Sequence, residues 1–174
     1  MNTPKLVRVE VVSSHVEKGI KAIPLEILGE RKYRAIDDVE IIQYLKGEGA
    51  VHTKLKKNFL CDGRSGGWLV DLLLPNVGDQ YYRRGWGGHD GQYAFAAYCK
   101  CIGVIPPVSF ELANSLYRQT NTLPRRLGGG GFSKPRSWAA WEGVQTKFGL
   151  SAYEKIDGFD EKNFGLTEVT WEDK

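Results

Sequence analysis

The stretch from Asp79 to Cys99, which reads DQYYRRGWGGHDGQYAFAAYC, decides how this 174-residue chain folds. We expect it to form a helix, because the Asp79 carboxylate is a suitable N-cap for the free N–H groups of a first turn. Glycines at 85, 87 and 88 favour helices poorly, and we expect them to interrupt it. Side chains that recur every three or four residues share one helical face, namely Tyr82, Trp86, His89, Tyr93 and Ala97.

His89 has two interpretations on this apolar face. A lone histidine there is commonly a core residue with one hydrogen bond, whereas the adjacent Asp90 would make an imidazole and carboxylate pair facing one cavity. A second helix is predicted from Pro106 to about Gln119, and its apolar stripe contains one amide, Asn114. Because buried amides need partners, we expect Asn114 to meet His89 across the helix pair and to fix which ring nitrogen carries the proton.

The pocket around His89 is expected to include residues from a glycine-rich loop. Residues 59–67 contain too many glycines for the interior of a helix or strand, so they predict an ordered loop. Asp62 and Ser65 in this loop, together with Trp86, are the candidates to line the pocket.

Alternating apolar and polar residues predict strands in the first third of the chain. These strands are expected at 6–12, in short pieces between 20 and 28, and as a hairpin of 39–45 with 51–55.

The second half is expected to be helical. A third helix is predicted from Lys134 to Phe148, capped by Ser133, and glycines 128–131 suggest a flexible connection before it. The predicted fold class is therefore α+β, with a small N-terminal antiparallel sheet followed by a three-helix C-terminal half. Residues 1–153 are expected to form a single domain, and residues 154–174 a tail that packs on the chain itself or on a neighbour.

The composition predicts one compact domain and excludes few functions. With 41% hydrophobic residues, a chain of this length can bury most of its unfolded surface in a single core. A net charge of +3 is small for a dedicated nucleic-acid-binding protein. No apolar run is long enough for a secretion signal or a membrane span, so we expect a protein made in a cytoplasm.

Two weaker patterns have less specific interpretations. Cys99 and Cys101 with His89 could suggest zinc, but a single C-x-C pair is a weak signal, and the three cysteines are expected to be reduced thiols. The second weak pattern is a set of basic residues that could form a strip for binding nucleic acid or an acidic partner, although solvated surface charges explain it more simply. Its members would be Lys54, Lys56, Lys57, Arg83, Arg84, Arg125 and Arg126.

Four segments resemble, in order and spacing, the phage and prophage domain-of-unknown-function family 1353. That family has the patterns G-F-x-T-D-x-A-S, an apolar stretch ending in proline, R-x-A-x-x-H-D-x-L-Y, and D-x-x-F. The matching segments are NFLCDGRS at 58–65, LLLP at 72–75, RRGWGGHDGQY at 83–93 and NSLY at 114–117. With SWAAWEGVQTKFG at 137–149 and Tyr153, the resemblance covers about residues 39–153.

The His-Asp-x-x-Tyr helix is also similar to the catalytic helix of secreted and parvoviral phospholipases A2. The resemblance implies that His89 is the general base for a water and Asp90 a calcium ligand, with Asn114 orienting the imidazole. Tyr93 would complete the catalytic set, and Asp62 would be a second calcium ligand. Calcium takes about six to eight oxygens, so loop carbonyls around Gly63, Gly66 and Gly67 would have to supply others.

Departures from the family pattern argue against an active site. Asn114 stands where the family has an aspartate, and an amide cannot compensate the charge of an imidazolium; the equivalent change in a serine-protease triad lowers turnover by about 10⁴. Gly66-Gly67 replace the proline-containing end of the loop, and Gly87-Gly88 replace small helix formers. The pattern therefore predicts a divergent member and leaves open whether its site is active.

The resemblance implies a phage virion component, tail- or connector-associated, with a divergent His-Asp hydrolase-like site and no cofactor. Its partners would be other phage structural proteins in a homo- or hetero-oligomeric assembly. It would be made in the host bacterial cytoplasm and located in the virion. One alternative is an active calcium-dependent ester hydrolase for lysis or envelope penetration. Another is an early phage protein that binds a host factor.

Overall fold

The computed structural model describes residues 3–29, 32–61, 79–133, 135, 136, 138 and 161–173. Within these residues it contains nine strands, two helices and one 3-10 turn. The strands are β1 (Leu6–Val12), β2 (Val16–Glu17), β3 (Ile20–Lys21), β4 (Leu25–Gly29), β5 (Lys32–Ala35), β6 (Val39–Leu45), β7 (Gly49–Leu55), β8 (Leu60–Cys61) and β9 (Thr167–Glu172). The helices are α1 (Gln80–Cys101) and α2 (Phe110–Thr122), and the turn spans Arg125–Leu127.

The central sheet is antiparallel and has the strand order β1-β6-β7-β9. The predicted hairpin is present as β6 and β7, which pair from Val39 with Leu55 to Leu45 with Gly49. Gly49 has a φ of +94°, and a Cβ there would overlap the carbonyl oxygen of Glu172 on β9. Glycine is therefore required both by the turn and by the approach of β9.

Two small sheets complete the described strands. β2 and β3 form a two-stranded ribbon, and β4, β5 and β8 form a three-stranded sheet.

The predicted architecture of an N-terminal sheet followed by a three-helix half is wrong. The protein is α+β, but strands dominate the described residues, and the sheet includes a strand from the C-terminal end of the chain. Residues 167–172, expected to belong to a tail, are strand β9 and pair with β7 along its length. Their alternation of buried and exposed side chains is the pattern of an edge strand with one face on the core. The third predicted helix lies almost wholly outside the described residues.

Helix α1 runs without a break through the glycines that were expected to interrupt it. These glycines lie on the side that meets the rest of the protein. A Cβ on Gly91 would lie 2.6 Å from side-chain atoms of Leu55 and Thr53 on β7, and one on Gly85 would lie 2.5 Å from the amide oxygen of Asn121 on α2. At Gly85 and Gly91 the loss of helix propensity, roughly 1 kcal/mol each, is thus offset by close packing of the backbone.

Helix α2 begins four residues later than predicted. Pro106 and Pro107 precede the helix, and Ser109 is its N-cap, whose hydroxyl accepts the N–H of Leu112. Its apolar side packs against α1 and buries Ala113, Leu116 and Tyr117.

Candidate functional site

Asp79 begins α1 as the sequence predicts. Its Oδ1 accepts the backbone N–H groups of Tyr81 at 2.9 Å and Tyr82 at 3.3 Å. Its other oxygen, Oδ2, bonds the Arg125 guanidinium at 2.6 Å. The cap therefore fixes both the start of the helix and the turn that follows α2.

The predicted contact between His89 and Asn114 is confirmed. His89 Nε2 lies 2.9 Å from the Asn114 amide oxygen, and the Tyr93 hydroxyl donates to the same oxygen at 2.8 Å. His89 is 6% exposed and Asn114 is fully buried. We refer to His89, Tyr93 and Asn114 as the His89 cluster.

The geometry of the His89 cluster selects one imidazole tautomer. An amide oxygen carries no proton, so His89 Nε2 must donate to it. A neutral ring then has its lone pair on Nδ1, the nitrogen on the opposite side of the ring. Asn114 therefore orients the ring from the Nε2 side, as sequence reasoning expected.

Two aromatic rings close around the imidazole. The Tyr93 ring centroid lies 4.0 Å from that of His89, and the Tyr117 centroid lies 5.1 Å away. Both rings are tilted against the imidazole by 40° to 46°. The cluster thus resembles a packed core more than an open cleft.

Asp90 lies beside Nδ1 of His89, the ring nitrogen that does not bond Asn114. The distance from His89 Nδ1 to Asp90 Oδ1 is 3.6 Å, which is longer than a hydrogen bond, and the Asp90 side chain is 17% exposed. Its Oδ2 is buried and has no hydrogen-bond donor in the described part of the chain. Within that part, no arginine and no helix N-terminus engages this carboxylate.

A polar network next to the cluster was not anticipated from the sequence. Gln92 donates from Nε2 to Gln43 at 2.8 Å and to Thr53 at 3.2 Å, and Gln43 donates to Thr120 at 2.9 Å. The network joins α1, α2 and the inner face of the sheet. The available signal was Gln43, a polar residue at an inward position of β6 between Ile41 and Leu45.

The other predicted pocket residues are not brought to the cluster by the described contacts. Asp62 and Ser65, as well as the loop carbonyls proposed for calcium, lie outside the described residues. Trp86 is buried against Tyr33 of β5, with ring centroids 5.7 Å apart. Asp90 is therefore the single predicted calcium ligand that the structure places next to His89.

The C-x-C pair does not form a metal-binding cluster with His89 in the parts of the chain that are described. Cys99 is buried whereas Cys101 is exposed. Burial raises the pKa of the Cys99 thiol. The two sulfurs are thus in different environments.

The predicted basic strip is divided between separate regions. Arg84 is buried and donates to the carbonyl oxygens of Gly128 and Lys21, while Arg83 donates to that of Ile23. Burial lowers the pKa of both arginines. Lys54 instead lies on the outer face of the sheet, 3.9 Å from Glu168. Arg83 and Arg84 thus connect α1 to backbone carbonyls of other segments.

Comparison with known proteins identifies no relative: no family model, curated protein or solved structure matches this chain. The resemblance to family 1353 therefore depends on the quoted segments alone. In the residues that the structure describes, no helix has both the length and the apolar character needed to span a bilayer.

Proposed function

We propose that the protein is a structural component of a phage virion and that the His89 cluster joins helices α1 and α2 instead of catalysing a reaction. The phage assignment is supported by the four segments that resemble family 1353. The non-catalytic role of the cluster is supported by its geometry.

The observation that carries this proposal is the pair of hydrogen bonds to one buried amide oxygen. Asn114 Oδ1 accepts from His89 at 2.9 Å and from Tyr93 at 2.8 Å. A general base becomes an imidazolium when it takes a proton, and the orienting carboxylate of a hydrolase stabilises that charge. An amide at this position keeps the ring in place without providing the charge.

A structural role also explains why the cluster lies between the two helices. Each helix presents a polar group to the other, and the hydrogen bonds form only in one register. A buried acceptor shared by two donors favours this packing, because other registers leave His89, Tyr93 and the Asn114 oxygen unpaired, whereas here the Asn114 Nδ2 is the group that has no partner among the described residues.

The virion assignment is tested by mass spectrometry of purified particles. Phage particles from a host that carries the gene are banded in a density gradient, and peptides of this chain are quantified against a capsid protein and against a phage replication protein. We expect the chain at a fixed ratio to the capsid protein and well above the replication protein. If it falls to the level of the replication protein, the virion assignment is wrong.

A second candidate function, an ester hydrolase, is favoured by the opposite side of the imidazole. Nδ1 has the lone pair that a general base needs, and Asp90 lies beside it with one oxygen that has no donor among the described residues. Among the described residues predicted to bind calcium, Asp90 supplies a carboxylate oxygen next to His89.

The second candidate is tested by melting the protein with and without millimolar calcium. Calcium at a free concentration of ten times its Kd would stabilise the protein by about 1.4 kcal/mol, which raises Tm by roughly 3–6 °C. Asp90→Asn would abolish the rise, while Asp173→Asn, at an exposed position near the end of β9, would leave it unchanged. The structural proposal expects no rise in any of the three proteins. A rise that only Asp90→Asn abolishes would favour the hydrolase.

A further inference from the structure

His52, on the outer face of the central sheet, lies within hydrogen-bond distance of two carboxylates at once. Its Nδ1 is 2.9 Å from a carboxylate oxygen of Glu40 on β6, and its Nε2 is 2.9 Å from a carboxylate oxygen of Glu172 on β9. Strands β6, β7 and β9 are neighbours in the sheet, so the ring on β7 connects the strands on both sides of it. We call His52, Glu40 and Glu172 the His52 bridge.

The other charged groups on this face are engaged elsewhere. Lys54, the next residue on the same face of β7, lies 3.9 Å from Glu168 on β9. On the far side of β6 a separate set is formed by Arg8, Glu10 and Tyr44. The exposed charges at the turn end of the sheet are Lys46, Glu48 and Asp173. In the described part of the chain, no lysine or arginine contacts either carboxylate of the His52 bridge, so the imidazole is the group that can pair with both.

The geometry of the His52 bridge requires two protons on the ring. A carboxylate accepts hydrogen bonds and a neutral imidazole has one N–H, so both contacts are hydrogen bonds only when the ring is an imidazolium. When the ring loses a proton to water, one nitrogen presents its lone pair to a carboxylate, and that contact becomes repulsive. Because histidine changes charge between about pH 5 and 8, the bridge has two bonds at the acid end of this range and one at the alkaline end.

The two carboxylates differ in exposure, which decides the contact that a neutral ring keeps. The Glu40 side chain is 23% exposed, whereas that of Glu172 is 71% exposed. A partly buried carboxylate loses more when its donor is removed than an exposed one, which water solvates readily. The remaining proton is therefore best placed on Nδ1, where it keeps the bond to Glu40, and Glu172 is released.

We propose that the His52 bridge is a pH-dependent link that holds the C-terminal end of β9 on the sheet in acid and releases it as the pH rises. Glu172 is the last residue of this edge strand, which pairs with β7 alone among the described strands. The end of an edge strand has few other contacts, so the loss of this one loosens it locally. The link goes beyond the proposed virion role and involves neither the His89 cluster nor the phage resemblance.

The first test locates the ring protons by nitrogen NMR of the isotope-labelled full chain. The chain has three histidines, so the ring signals are few, and through-bond correlations assign those of His52. We expect both ring nitrogens to be protonated at about pH 5. At about pH 8.5 we expect the proton on Nδ1 and none on Nε2, because Glu40 keeps its bond.

The second test measures hydrogen exchange of the backbone amides where Ala50 pairs with Glu172, corrected for the intrinsic pH dependence of exchange. In the wild type we expect protection to fall roughly two- to fivefold between about pH 5.5 and 8, the effect of one partly exposed ion pair. Glu172→Gln removes the carboxylate and should abolish this fall. Glu168→Gln is the matched control, because it lies on the same face of β9 but faces Lys54, and it should keep the fall of the wild type.

Two results in the wild type would each overturn the inference, whether or not the variants fold. One is a neutral His52 ring with its proton on Nε2, since Glu172 and not Glu40 would then keep its bond. The other is protection at this end of β9 that does not fall as the pH rises. The inference is also overturned if folded Glu172→Gln shows the same fall as the wild type, or if Glu168→Gln loses it.

Discussion

The two faces of the central sheet accommodate polar side chains in different ways. The inner face packs against α1 through glycines and contains Gln43 and Thr53, whose side chains are fully buried and hydrogen-bonded to neighbours. The outer face has charged side chains that pair within a strand or across strands. Its pairs include Arg8 with Glu10 and Lys54 with Glu168, and Tyr44 donates to Glu10, whose carboxylate raises the pKa of that phenol.

The two faces also hold histidines in contrasting environments. His89 is bonded to a neutral amide and lies between aromatic rings. His52 lies on the outer face, with Nδ1 2.9 Å from Glu40 and Nε2 2.9 Å from Glu172. Buried hydrogen bonds to a neutral group lose more when one partner is removed than contacts with carboxylates at a partly exposed surface do. Stability and specificity therefore reside on the inner side of the sheet.

The largest effect is expected for Asn114→Leu, which keeps the branched shape and the number of heavy atoms but removes the shared acceptor. His89 and Tyr93 both lose their bonds to that oxygen, and we expect the free energy of unfolding to fall by about 3 kcal/mol. Urea denaturation measures the change.

Asn121→Leu is the control for this substitution. Asn121 is also fully buried on α2, but its amide has no hydrogen-bond partner among the described residues. We expect a change of about 1 kcal/mol or less, because no hydrogen bond is lost. Equal losses in both variants would show that the bonds of Asn114 contribute nothing of their own.

A smaller effect is expected where α1 touches the sheet through glycine. Gly91→Ala should destabilise the protein by about 1–2 kcal/mol, because overpacking against Leu55 and Thr53 outweighs the gain in helix propensity. Gly88→Ala meets its nearest neighbour at 3.8 Å and should stabilise the protein by up to about 1 kcal/mol. Denaturation that shows a change of the same sign in the free energy of unfolding of both variants would contradict this packing.

On the outer face we expect His52→Gln to change the free energy of unfolding by about 1 kcal/mol or less. Of the two partner carboxylates, Glu172 is 71% exposed and Glu40 is 23% exposed, so water reaches both after the substitution and replaces the contact with Glu172 at little cost. A loss above that of Gly91→Ala in the same denaturation series would reverse the proposed ranking of the two faces.

The smallest perturbation is chemical labelling of thiols, which compares buried and exposed positions without a substitution. Burial raises the pKa of Cys99, so at pH 8 it has less thiolate than an unperturbed thiol, and its raised pKa delays reaction to higher pH. Cys101 is exposed, and we expect iodoacetamide to modify it first in the folded protein. Peptide mapping that finds Cys99 modified as fast as Cys101 would show that this end of α1 opens readily.

Local signals in the sequence predicted the parts of the site that depend on one helix and its neighbour. Asp79 identified the start of α1, and the spacing along the helix placed His89 on the buried face. Asn114 was recognised because an amide in an apolar stripe needs a partner. These inferences succeeded because capping and helical periodicity act over a few residues.

Long-range packing accounts for what the sequence did not reveal. Gly85, Gly87 and Gly88 were interpreted as breaks because their propensity is local, whereas all three lie on the buried side of α1 and Gly85 leaves room for Asn121 on α2. Strand β9 pairs with β7 more than a hundred residues earlier in the chain, and its short alternating pattern resembles a polar tail. The network of Gln92 likewise forms only when α1, α2 and the sheet come together.

The central claim, that the His89 cluster is a structural link between α1 and α2, is tested most directly by a double-mutant cycle of His89→Leu and Asn114→Leu. Unfolding free energies of the wild type, both single variants and the double variant give the coupling energy. We expect the double variant to be more stable than the sum of the single losses predicts, by about 1–3 kcal/mol, because removal of both partners leaves fewer unpaired polar groups. Losses that add to within about 0.5 kcal/mol would contradict the claim.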